Sequence, residues 1–64
     1  MSTTSAELSS MAATIEELIH RLTPIADAYG TAQRDDLVSD VQEVERALNS
    51  AFRRLNRLAT TPGA

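Results

Sequence analysis

His20 is the only imidazole in this 64-residue chain, and Glu16 lies four residues before it, one helical turn away. Such a pair can serve as a general base when a pocket and a third, orienting group accompany it. Neither is signalled in the sequence, so His20 is expected to face solvent. Asp35, Asp36 and Asp40 are close enough together to attract a hard cation, but they lack the oxygen-rich turning loop of a calcium site. The chain has no cysteine, which excludes disulfides and thiolate metal sites. One histidine without a second makes a structural zinc site a poor fit. No metal, no cofactor and no catalytic residue is therefore expected, and the chain reads as a non-enzyme.

The cationic residues are the third group with chemical potential. Arg46, Arg53 and Arg57 share one outward stripe, with Asn49, Ser50 and Asn56 nearby, and such a stripe can follow a line of phosphates. The net charge of −3 and the absence of interleaved aromatic side chains for base stacking weigh against nucleic acid. The charge is also graded along the chain. Residues 1–30 sum to −3, residues 31–45 to −4 and residues 46–64 to +4. Acids near the start of a helix and cations near its end complement the helix macrodipole. A dipole-matched, solvated helix end is thus the first reading of the arginines, and a docking patch for a further partner the second.

The elements that carry these residues follow from apolar spacing. Leu8, Met11, Ile15, Leu18, Leu22, Ile25 and Tyr29 step by threes and fours. Leu37, Val41, Val44, Leu48, Ala51, Leu55 and Leu58 do the same in a second run. Two such runs separated by Gly30-Thr31 predict an all-α, antiparallel two-helix hairpin with a heptad seam. Folding at Gly30-Thr31 sets Ile25 level with Leu37, Leu22 with Val41, Leu18 with Val44, Ile15 with Leu48, Met11 with Ala51 and Leu8 with Leu55.

The expected boundaries are a disordered N-terminus at 1–3, a first helix over about 4–29, a second over about 32–59 and a disordered tail at 60–64. Thr4 and Glu7 fit a capping box, Gly30 a left-handed helix end, and Thr31 the cap of the second helix. Pro24 removes one helical hydrogen bond. The apolar phase nevertheless continues across it, which predicts a kinked helix rather than a break. Glu17 and Arg21, four apart with the acid first, fit a helix ion pair.

A second apolar stripe lies beside the first. With Leu8 and Val41 as position a, position e carries Ala12, Ile19 and Ala26 in the first helix and Val38, Glu45, Phe52 and Ala59 in the second. Three apolar positions in seven is the pattern of a multi-helix bundle. A chain this short builds little core alone, so association is expected, with Ala12, Ile19, Ala26, Val38 and Phe52 as its surface. Pairing of two hairpins into a homodimeric four-helix bundle is the first solution, and a heteromeric helical partner the second. In size and layout residues 4–59 resemble the plasmid RNA-binding helical-hairpin repressor of primer, and the resemblance implies the dimeric bundle. That protein's basic, aromatic first helix has no counterpart here beyond Arg21, so RNA binding is not implied. No run of residues is apolar enough to span a membrane and no basic leader precedes an apolar stretch, from which a cytoplasmic protein is expected. The functional expectation is an assembly or adaptor module, with a small nucleic-acid-binding regulator as the alternative.

Overall fold

The structure, a computed structural model, describes residues 3–62. Two helices, α1 (Thr3–Thr31) and α2 (Asp35–Thr60), pack against each other, and there is no strand among the described residues. Residues 1, 2, 63 and 64, where fraying ends were expected, lie outside the described residues. Thr3 and Thr60 are helical, so Thr4 lies inside α1 rather than capping it. α1 runs through Pro24 without interruption. Its apolar phase survives because proline removes a single N–H while its fixed φ remains compatible with the helix.

The turn falls later than the sequence suggested. Gly30 is helical, and the left-handed residue is Gln33, with φ 59°. Arg34 N–H donates to the Tyr29 carbonyl at 2.9 Å and Gln33 N–H to the Gly30 carbonyl at 3.1 Å. These six-to-one and five-to-two bonds form a Schellman closure with glutamine where glycine is usual. The expected cap at Thr31 is likewise replaced by Arg34, whose carbonyl accepts from Leu37 and Val38 at 3.0 Å each. A physical reason for the later start is at hand. Beginning α2 at Asp35 places Asp35 and Asp36 in its first turn, against the positive end of the dipole. Arg34 then clamps Asp36 through Nε and Nη2, at 3.2 and 3.1 Å.

Moving the turn changes the packing. A hairpin centred on Gln33 rather than on Gly30-Thr31 shifts α2 along α1, and the seam uses positions a and e instead of a and d. In α1 the buried and half-buried residues are Ser5, Leu8, Ala12, Ile15, Ile19, Leu22, Ala26 and Tyr29. These are all of its a and e positions, and no others. In α2, Val38, Val41, Glu45, Leu48, Phe52, Leu55 and Ala59 follow the same rule, with Leu37, Ser50 and Ala51 half-buried beside them. The small e residues Ser5, Ala12 and Ala26 let the helices approach closely, whereas Met11, Leu18 and Ile25 at d would hold them apart.

The resulting core is thin. Among the described residues only Ala12 and Val41 are buried apolar side chains, at 2% and 8% exposure, and no large side chain is fully enclosed. The molecule measures 48 × 14 × 9 Å with a radius of gyration of 14.9 Å. A compact chain of this length would have a radius near 10.7 Å, by the usual scaling of about 2.2·N^0.38.

Candidate association surface

The residues expected to form the association surface divide differently in the folded chain. Ala12 is buried, and Ile19, Ala26, Val38 and Phe52 are half-buried between the two helices. Ile19, Val38 and Phe52, expected on a surface facing a partner, thus lie in the intramolecular seam of the single chain. The apolar surface left over belongs to the d stripe. Met11, Leu18, Ile25, Val44 and Leu58 are each 39–54% exposed.

Both d stripes lie on one face of the hairpin, because in an antiparallel pair equivalent heptad positions of the two helices flank the same side of the seam. Leu18, Leu22, Ile25, Val44 and Leu48, joined by Arg21, line an open groove of about 400 Å³ on that face. The sequence did contain this signal, since every one of these d residues is in the original ladders. Position a is common to both possible seams, so the ladders alone leave the neighbouring stripe open. Which neighbouring stripe turns inward depends on the register, and the register depends on the turn.

The four charged residues that border this face occupy position g: Glu7 and Arg21 on α1, Asp40 and Arg54 on α2. None of the four takes part in an ion pair among the described residues, whose ion pairs are Arg34–Asp36 and Arg46–Glu43. The expected Glu17–Arg21 pair is thus not formed. Arg21 lines the groove instead.

The opposite face carries the b positions Ser9, Glu16, Thr23, Gln42, Asn49 and Asn56, all exposed. Asn49 turns its amide back to the Glu45 carbonyl at 3.0 Å. On the outer side of α2, Arg53, Arg54 and Arg57 gather around Ser50, while Arg46 is held by Glu43. Arg46 also lines a shallow depression with Arg53, Gln42, Glu45 and Asn49, so the three predicted arginines lie along one side of α2, with Arg46 paired to Glu43 and Arg53 and Arg57 joined by Arg54. His20 and Glu16 are exposed on α1, and no group of acids or histidines among the described residues is arranged to hold a metal ion. Among the titratable groups, Asp36 is held below the ordinary carboxylate value of 3.8, chiefly by its hydrogen bond from Arg34. No helix of the described residues is long and apolar enough to cross a membrane.

No protein-family model, curated protein or solved structure matches this chain. The likeness in layout to the dimeric plasmid hairpin accordingly stays one of size and helix order.

Proposed function

We propose that this chain is a non-enzymatic helical hairpin that acts through self-association and protein–protein contact, as an assembly or adaptor module of the cytoplasm. The observation that carries this reading is the imbalance between its core and its surface. Two buried apolar residues among the described residues are too few to stabilise a chain of this length, since fully burying a large side chain contributes about 1.5–3 kcal/mol and ordering each residue costs a similar amount. Five large apolar side chains meanwhile lie exposed in two stripes on one face. Covering them supplies the missing burial. Sedimentation equilibrium with circular dichroism across a dilution series tests the reading. Helix content should fall as the assembly dissociates, and a chain that stays monomeric and fully folded at every concentration would overturn it.

A second reading is favoured by one observation. Arg53, Arg54 and Arg57 lie together without an acidic partner among the described residues, and a dimer doubles the patch. A small nucleic-acid-binding regulator would use it on phosphates. Binding to a short hairpin RNA should then weaken steeply with salt and vanish when all three arginines are replaced by alanine. Absence of binding at low salt removes this reading.

A further inference from the structure

The outer side of α2 brings together one hydroxyl and three guanidiniums. Ser50, Arg53, Arg54 and Arg57 line a depression of about 470 Å³, and no acidic side chain borders it. The arginines follow Ser50 by three, four and seven residues. That spacing sets all four within about 100° of the helix surface and about 10 Å of its length. Helical side chains lean towards the N-terminus of their own helix. Arg53 and Arg54 therefore reach back over the turn that holds Ser50, and Arg57 over the turn behind them.

Two observations separate this group from an ordinary solvated helix end. Its side chains are unpartnered. On the same helix Arg46 bonds Glu43, Asn49 the Glu45 carbonyl and Thr60 the carbonyls of Asn56 and Arg57. No hydrogen bond or ion pair joins the side chain of Ser50, Arg53, Arg54 or Arg57 to another described residue. The helix dipole, moreover, accounts for only one of the three cations. Its attraction fades within the last turn, which holds Arg57 but neither Arg53 nor Arg54. Arg53 and Arg57, four residues apart, repel each other about as strongly as a helix ion pair attracts. An anion seated among the three arginines turns that repulsion into attraction.

We propose that Ser50, Arg53, Arg54 and Arg57 form a binding site for a diphosphate group, free or carried on a small organic molecule. The hydroxyl donates one hydrogen bond and the guanidiniums donate forked, charge-assisted ones. A single phosphate monoester brings a charge of only about −2, so three guanidiniums are better matched by two linked phosphates. No aromatic side chain borders the depression, and the phosphates are therefore the part of the ligand that is recognised. The site goes beyond self-association, because all four residues belong to one helix and none lies on the exposed d stripe. It shares its arginines with the nucleic-acid reading but takes a different ligand. A nucleic-acid strand spaces its charges along a backbone, whereas these three cations converge on one hydroxyl.

Isothermal titration calorimetry of the full chain with inorganic pyrophosphate, at fixed ionic strength, tests the site. Wild type should bind one pyrophosphate per chain, at least about tenfold more tightly than sulfate. Ser50→Ala, which favours the helix, should weaken binding about threefold to tenfold. Arg53→Lys with Arg54→Lys keeps charge and helix but loses the forked donors, and should weaken binding about tenfold or more. Arg34→Ala removes one charge at the far end of α2 and should leave the affinity within about twofold. Circular dichroism at the titration concentration checks that each variant keeps its helix. Absence of saturable pyrophosphate binding overturns the site. So does an affinity that follows net charge alone, unmoved by the lysine pair and lowered as much by Arg34→Ala as by Ser50→Ala. A hairpin RNA without terminal phosphates that displaces pyrophosphate at a lower concentration of phosphate groups would also overturn it, in favour of the nucleic-acid reading. Sedimentation of the same samples reads the oligomeric state separately, so the site and the self-association reading can fail independently.

Discussion

The two broad faces of this hairpin are built from the same helices and differ by one heptad position. One presents d residues, Met11, Leu18, Ile25, Val44 and Leu58, with unpaired charges at its edges. The other presents b residues, Ser9, Glu16, Thr23, Gln42, Asn49 and Asn56. Positions a and e between them are consumed by the seam. The difference gives the hairpin one apolar side, adhesive under the self-association proposal, and one polar, finished side. A helix pair with both faces apolar would stack without limit, and a pair with neither would have too little burial to fold.

The comparison breaks most readily on the adhesive side. Ile25→Asp should abolish association and, with it, about 2–5 kcal/mol of apparent stability, seen as a lower thermal midpoint at fixed concentration. The matching change on the finished side, Gln42→Glu, should stay within about 0.5 kcal/mol of wild type. Equal losses from the two would mean that the faces are not functionally different. Inside the seam, Ala12→Leu should cost about 1–3 kcal/mol through overpacking at the most enclosed position, measured by urea unfolding. It should disturb both faces alike, because it separates the helices themselves.

Smaller effects sit in the turn, which set the register and so chose the faces. A Cβ added at Gly30 would meet nothing within 4 Å, and the residue is helical, so Gly30→Ala should stabilise by about 0.5–1 kcal/mol. Gln33→Gly should contribute about as much by relieving the left-handed backbone. Both gains should appear in the urea midpoint with the oligomeric state unchanged. The smallest effect is electrostatic. The Asp36 carboxyl is held below its ordinary value by Arg34. Its contribution is therefore present at neutral pH and is lost as pH falls from about the ordinary value through the lowered one. Arg34→Ala should flatten that acid limb of the stability curve, by an amount kept small by full solvent exposure.

Much of this fold was legible in the residues. The 3-4 spacing of the ladders specified two long helices, and the continued phase across Pro24 specified that the first would not be interrupted. What the ladders left open was the turn. Gly30 carried the expected signal for a left-handed helix end, yet the chain closes on Gln33, where the following Asp35-Asp36 pair is better served by the start of α2. Two or three residues of displacement were enough to exchange d for e in the seam. Ile19, Val38 and Phe52 thereby moved inward and Leu18, Ile25 and Val44 outward. The surplus apolar surface was consequently visible as a composition, a third apolar stripe in excess of what two helices need, but not as an address. The arginines were legible as a group, though the capture of Arg46 by Glu43 depends on side-chain reach that spacing alone leaves undecided.

The flattened outline of the hairpin, 48 Å long and 9 Å thick, bears on how it moves through water. Two such laths joined broadside double their mass while keeping their length, so the friction opposing their diffusion rises less than it would for a sphere doubling in mass. Joined end to end, the same two copies would tumble as a rod of twice the length. Rotational diffusion about the long axis and across it therefore distinguishes the two geometries without any substitution, because broadside pairing brings the two rates closer together and end-to-end pairing drives them apart.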